Sequence, residues 1–242
     1  VIGMARVALF DPCYLLMLRP RETDHARRVL EALGDDVTIV DGRCCGQPAF
    51  NSGYRDDARA VGREALRAAT EHERLVVPSG SCTTMLQHFL PSLYDGQRRE
   101  HAEALAHRFV EFTDYVHRHP QAGRLALRLQ GTVAYHDACH YRRELGLTET
   151  ALALLGRVDG LEVRRLRYEA ECCGFGGTFS VKLPEVAGTM LRAKLDDVTA
   201  SGAKVLVSAD FSCLAHLDAG ARGLNLPIET WTIAELLARA LG

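Results

Sequence analysis

Val7-Ala8-Leu9-Phe10-Asp11, followed by Cys13, and Val133-Ala134-Tyr135-His136-Asp137, followed by Cys139, are two versions of one motif. Each is a short apolar run that ends in an aspartate two residues before a cysteine. The repetition continues outward. Cys44-Cys45-Gly46 is answered by Cys172-Cys173-Gly174, and Leu75-Val76-Val77-Pro78 before Cys82 by Val205-Leu206-Val207-Ser208 before Cys213. Equivalent cysteines are offset by 126 (13 to 139), 128 (44 to 172) and 131 (82 to 213) residues, and all 8 cysteines fall in the pattern. Thiols placed this selectively read as two ligand quartets.

Short β-branched runs alternate with helical periodicity, the pattern of an α/β protein with mainly parallel strands. Strands are expected near 5–10, 37–41 and 75–78, and again near 132–136, 162–166 and 204–208. Helices are expected near 21–34, 55–71, 81–90 and 98–118, then near 146–156, 184–201 and 231–241. The fold expected is two pseudo-symmetric repeats, each with a mainly parallel sheet flanked by helices. Gln121-Ala122-Gly123 is the expected hinge, dividing a first cysteine-rich domain over 1–123 from a second over 124–242. Every cysteine segment follows a strand. The thiols therefore gather at the carboxyl ends of the strands, where open parallel sheets bind ligands.

With 242 residues, 47% hydrophobic and 25% charged, the chain can bury a core without disulfide staples. A formal net charge of -2 gives no electrostatic case for nucleic acid or an anionic membrane as partner. Val1-Ile2-Gly3-Met4-Ala5-Arg6 leads into the first strand without the apolar core or cleavage site of a signal peptide. No apolar run approaches the roughly 18 residues of a membrane span. The compartment expected is the cytoplasm, where spaced cysteines point to metal or catalysis ahead of disulfides.

Four thiolates can hold a [4Fe–4S] cluster or one tetrahedral zinc. Adjacent residues in extended backbone point their side chains apart, which favours a cluster with several iron atoms over one small ion. Gly46 and Gly174 permit positive φ and close backbone approach. With Gly176 and Gly177 as well, the second loop is the better candidate for a cluster. That loop lacks the G-x-G-x-x-G spacing and the lysine of phosphate-binding loops, and no flavin or nicotinamide fingerprint occurs elsewhere.

Three stretches carry a family resemblance: Cys45-Gly46-Gln47-Pro48-Ala49-Phe50-Asn51-Ser52-Gly53-Tyr54, Gly80-Ser81-Cys82-Thr83, and Cys172-Cys173-Gly174-Phe175-Gly176-Gly177-Thr178-Phe179-Ser180-Val181-Lys182. They resemble the cysteine-rich CCG domain found in heterodisulfide reductase and in the iron–sulfur subunit of glycolate oxidase. With two such domains, the whole chain is similar to the lactate utilization protein A family. The fuller CCG pattern ends in Cys-x-x-Cys, whereas Met85 and His216 stand at the last positions here. That departure speaks against the non-cubane cluster of heterodisulfide reductases and leaves an ordinary [4Fe–4S] cluster or a mononuclear metal. The ferredoxin-like cysteine run of glycolate oxidase subunits is also absent.

What the resemblance implies is an iron–sulfur subunit of an oxidoreductase that converts L-lactate to pyruvate, inactive without its partners. Those would be a separate ferredoxin-type iron–sulfur subunit and a third small subunit. One or two [4Fe–4S] clusters, with zinc at one quartet as the variant, would be held by Cys13, Cys44, Cys45 and Cys82 and by Cys139, Cys172, Cys173 and Cys213. Two other functional classes stand beside this one: a thiol–disulfide redox subunit like heterodisulfide reductase, and a non-redox scaffold stabilised by zinc.

Other candidates cluster near the second quartet. His136 and His140 flank Cys139 and read either as proton relays or as solvent-facing rings of a capped turn. Arg142, Arg143 and Lys182 are candidates for a substrate carboxylate, with solvated surface positions as the alternative. His216, three residues after Cys213, reads first as a surface or capping histidine and second as an extra ligand. Met85 reads as core. Asp11 and Asp137 read as turn formers bonded to their own backbone, and Trp231 as a packing residue starting the last helix.

Overall fold

In the computed structural model, which describes residues 6–242, the apolar run at Val7 becomes strand β1 (Arg6–Pro12). The lead Val1–Ala5, including the Ala5 start expected for this strand, lies outside the described residues. β2 (Asp36–Arg43), β3 (Leu75–Val77) and β4 (Phe109–Glu111) pair in parallel with it in the order β2-β1-β3-β4. The second run builds the same sheet again. β5 (Arg128–Tyr135), β6 (Asp159–Arg165), β7 (Val205–Ser208) and β8 (Glu229–Thr232) pair in parallel in the order β6-β5-β7-β8. The chain divides into two compact units, Val1–Leu125 and Ala126–Gly242.

In the first unit the helices are α1 (Cys13–Leu18), α2 (Glu22–Ala32), α3 (Gln47–Asn51), α4 (Arg55–Glu71), α5 (Gly80–Thr84), α6 (Gly96–Ala106) and α7 (Phe112–Arg118). In the second they are α8 (Thr148–Leu155), α9 (Phe179–Lys182), α10 (Pro184–Ala200), α11 (Phe211–Gly223) and α12 (Ile233–Ala240). Val7, Ala8, Leu9 and Phe10 are all buried. Consecutive residues of a strand point to opposite faces, so burial of all four means that both faces of the sheet are covered. No helix among the described residues is long and apolar enough to cross a membrane.

Three expectations need correction. The helix expected over 98–118 is interrupted by β4, because Phe109 to Glu111 pair with β3 and the Glu111 carboxylate then caps α7, accepting from the amides of Thr113 and Asp114. The helix expected from 231 starts at Ile233, because Trp231 is taken into β8 against Val207. Trp231 still serves packing, with the Arg239 guanidinium 4.4 Å from its ring centroid. Helices α1, α3, α9 and α11 have no counterpart among the expected elements.

The order β2-β1-β3 carries the functional consequence. The chain leaves β1 for β2 on one side and reaches β3 on the other, so a topological switch point lies between β1 and β3. Open parallel sheets bind ligands at such a point, beyond the carboxyl ends of the strands.

Candidate metal centres

Cys13 opens α1 directly after β1, Cys44 and Cys45 follow β2, and Cys82 lies in α5 just after β3. Three neighbouring strands thus deliver four thiols to the switch point. Cys139, Cys172, Cys173 and Cys213 repeat the placement after β5, β6 and β7. Helix caps set the last segment of each quartet. The Ser79 hydroxyl accepts from the Cys82 amide at 3.4 Å, and the Asp210 carboxylate accepts from the Ser212 amide at 3.0 Å.

Glycine sets the vicinal pairs. Gly46 and Gly174 have φ of +87° and +89°, and a Cβ on either would stand 2.6 or 2.7 Å from the backbone oxygen of Ala58 in α4 or Ala187 in α10. Only a residue without a Cβ lets the loop lie this close to the helix. The same turns aim the Gly46 and Gly174 amides at Cys44 Sγ and Cys172 Sγ, 3.4 Å away in each case.

Within each quartet the sulfurs form a hydrogen-bonded chain. Cys13 meets Cys44 and Cys44 meets Cys45. Cys45 and Cys82 follow with Sγ atoms 3.4 Å apart. Cys139 likewise meets Cys172, Cys172 meets Cys173, and Cys173 meets Cys213. The expectation that adjacent cysteines point apart therefore fails. Both pairs lie past the end of their strand, where the alternation of extended backbone no longer governs them.

Proton sharing follows from this contact. Hydrogen bonds from Cys13 and Cys45 pull the Cys44 thiol down to about 3 against its burial. Those from Cys139 and Cys173 pull Cys172 down to about 2. The donors move the other way: the bond to Cys44 and burial raise Cys13, and the bond to Cys172 and burial raise Cys139. Cys45 and Cys173 rise for the same two reasons. At Cys213 the bond from Cys173 pulls downward, but burial and the nearby Asp210 charge leave the thiol raised. Each quartet thus holds one ready thiolate, Cys44 or Cys172, packed against its neighbouring cysteines, a donor set suited to exchanging shared protons for a cation.

The second quartet has more around it. His136 is 1% exposed, and neither ring nitrogen has a hydrogen-bond partner among the described residues. Burial lowers its pKa to about 4, so the ring is neutral. One of its nitrogens lies with Cys173 Sγ and Cys213 Sγ inside a group whose atoms are all within 4.8 Å of one another. It is a ring facing the thiols, not solvent. His140 is half-buried, with Nδ1 3.9 Å from Cys139 Sγ. His216 also turns inward: its Nε2 is buried without a partner among the described residues, its ring lies 5.8 Å from that of Phe175, and burial lowers its pKa. The surface or capping role expected for it is not what the structure shows.

Other candidates are engaged elsewhere. Arg142 donates to the Ala170 carbonyl at 3.0 Å and sits 3.8 Å from the Asp137 carboxylate. Arg143 and Lys182 are exposed. Asp11 and Asp137 are buried and accept from hydroxyls of α2 and α8, Thr23 at 2.7 Å and Thr148 at 2.8 Å. Met85 is fully buried, as its core reading requires.

One residue escaped the sequence reading. Lys194 is 1% exposed, donates to the Tyr168 carbonyl at 2.5 Å and places its charge near Asp197, Glu171, Cys173 and Cys172. Asp197 accepts from the amides of Arg167 and Tyr168, which fixes the loop that leads to Cys172. The available signal was a lysine inside the buried α10 stripe of Ala187, Leu195 and Val198.

The model of the CCG cysteine-rich domain matches residues 7–87 and 133–218, one match around each quartet. The chain belongs to the CCG cysteine-rich domain family. Among curated relatives, lactate utilization protein A 1 of Bacillus anthracis is 35% identical over 239 residues, covering 98% of this chain and 99% of its own. Lactate utilization protein A of Macrococcus caseolyticus is 36% identical over 235 residues, 96% of either chain. Among solved structures, glutamate racemase RacE1 of Bacillus anthracis superposes with a TM-score of 0.41 at 13% identity, over 99% of this chain and 80% of that one.

Proposed function

We propose that the chain is the iron–sulfur subunit of a cytoplasmic, multi-subunit oxidoreductase that oxidises L-lactate to pyruvate. Cys13, Cys44, Cys45 and Cys82 are the ligands of one centre, and Cys139, Cys172, Cys173 and Cys213 those of the other. The observation that carries this reading is the pair of convergent thiol quartets, one beyond each sheet, in a chain 35% identical over 98% of its length to a protein named for lactate utilization. A [4Fe–4S] cluster bound by such a quartet supplies one-electron transfer.

The chemistry needs two such carriers or a partner. Lactate loses two electrons and two protons on becoming pyruvate, and this chain holds no nucleotide fingerprint for hydride transfer. The chain's own residues set the redox environment: Cys45 and Cys173 are buried, and the amides of Gly46 and Gly174 donate to sulfur. Exposed apolar side chains next to the quartets, Met17 and Leu18 after Cys13 and Val181, Leu183 and Val186 after the second loop, suit docking of a ferredoxin-type subunit and a third small subunit.

A specific distance favours a second reading for one centre. Four sulfurs about 2.3 Å from one tetrahedral ion are separated by ~3.8 Å, and Cys45 and Cys82 are already 3.4 Å apart. Zinc in the first unit, with an iron–sulfur centre in the second, is the variant that this one separation suits. The test is lactate-dependent bleaching of visible absorption in the reconstituted complex. Reoxidation by a disulfide in place of lactate-dependent reduction assigns the chain to thiol–disulfide chemistry, and a colourless complex overturns the redox role.

A further inference from the structure

We infer that the centre of the second unit is a mixed thiolate–imidazole site in which His136 supplies a nitrogen ligand beside Cys173 and Cys213, while the first centre is bound by thiolates alone. The inference rests on reading the quartets as metal ligands, whichever metal they take.

Three observations carry it. First, His136 is held in place by its backbone. Its amide donates to the Val207 carbonyl at 2.8 Å, and its carbonyl accepts from the Ser208 hydroxyl at 2.8 Å. The ring therefore stands at the end of the sheet with one nitrogen in the same 4.8 Å group as two thiol sulfurs. Second, both ring nitrogens are buried without a hydrogen-bond partner among the described residues. An orphaned polar ring in a core is disfavoured unless something accepts its lone pair, and a metal does so.

Third, the fold does not need a polar ring at this place. The offset of 126 residues between Cys13 and Cys139 also relates Phe10 to His136. Phe10 is fully buried and packs edge-on against Phe109 at 5.9 Å. Two other positions change in the same sense. Met85 of the first unit corresponds to His216, three residues after Cys82 and Cys213 respectively. The offset of 129 between Ala58 and Ala187, which contact equivalent glycines, relates buried Ala65 to Lys194. An apolar wall in one unit has become nitrogen-bearing in the other. Neutral imidazole ligation raises a centre's reduction potential above that of its all-thiolate counterpart.

The test uses the full chain reconstituted anaerobically with iron and sulfide, reduced with dithionite and studied by pulsed EPR; if it takes up only a diamagnetic metal, Co2+ is the probe. Directly coordinated nitrogen is expected in the wild type and in His216→Met, and is lost in His136→Phe, which restores the residue of the first unit. His136→Asn serves if the phenyl ring does not pack. In a redox titration one potential falls in these His136 variants and any other stays unchanged. No coordinated nitrogen in a metal-loaded wild type, or a signal that persists without His136, overturns the inference and leaves the proposed function standing. A chain that binds no metal overturns both.

Discussion

Replacing Gly46 with alanine tests the geometry that brings each vicinal cysteine pair to its quartet. At φ of +87° a residue with a Cβ costs roughly 1–2 kcal/mol in backbone strain. The new Cβ would also stand 2.6 Å from the Ala58 backbone oxygen, an atom that moves only if α4 moves. Overpacking of that kind adds about 1–3 kcal/mol. The sum is about 2–5 kcal/mol, a fall in Tm on the order of 10 °C. Gly174→Ala should match it, since the contact to Ala187 is 2.7 Å at φ of +89°. Gly53 is the internal control: its φ is +86°, but a Cβ there meets no described residue within 4 Å. Gly53→Ala carries the strain alone, roughly 1–2 kcal/mol. Urea unfolding of the three variants, each with its metal content, separates the two costs. Equal losses at Gly46 and Gly53 would refute the claim that the cysteine loop rests against the helix backbone.

Further outcomes follow from the same structure. Cys45→Ser should empty the first centre and Cys173→Ser the second, each leaving the metal of the other centre because each unit assembles its own ligands; loss of all metal from either variant contradicts separate sites. Burial pushes the Glu111 carboxyl up to about 8, against the hydrogen bonds it accepts from Thr113 and Asp114, while its ordinary value is 4.5. Between those values the folded state binds the extra proton, so stability falls as pH rises through that window. Glu111→Gln keeps an acceptor for the α7 amides and should flatten the fall; an unchanged slope in urea midpoints across the window contradicts it. Thr148→Val removes a 2.8 Å hydrogen bond to buried Asp137, and Thr23→Val a 2.7 Å bond to buried Asp11. Each should cost about 1–3 kcal/mol in denaturant titration, and no measurable loss contradicts a structural role for these aspartates.

The repeat makes most of the fold legible, because β1, β2 and β3 and their copies are apolar runs that end at fixed distances from cysteines. Strands β4 and β8 are hidden for a physical reason. Phe109–Glu111 and Glu229–Thr232 are short segments beside helix-forming sequence, and only pairing with β3 and β7 makes strands of them. The quartets are legible because thiols have few other uses in such a pattern. The environment of His136 is not, since its burial depends on segments remote in sequence, including α10 with Lys194. The vicinal cysteines mislead through a local feature: Cys44 and Cys45 lie past the end of β2, in the turn closed by Gly46, so strand geometry does not apply to them.

The most direct measurement is the iron, sulfide and zinc content of anaerobically purified protein, with EPR after dithionite. Cluster-bearing quartets predict about four iron and about four sulfide for each, hence about eight of each per chain, or about four of each plus one zinc if the first unit holds a single ion. A reduced-cluster EPR signal should accompany either result. Zinc alone, with no EPR signal after anaerobic reconstitution with iron and sulfide, contradicts the claim that this chain carries electrons.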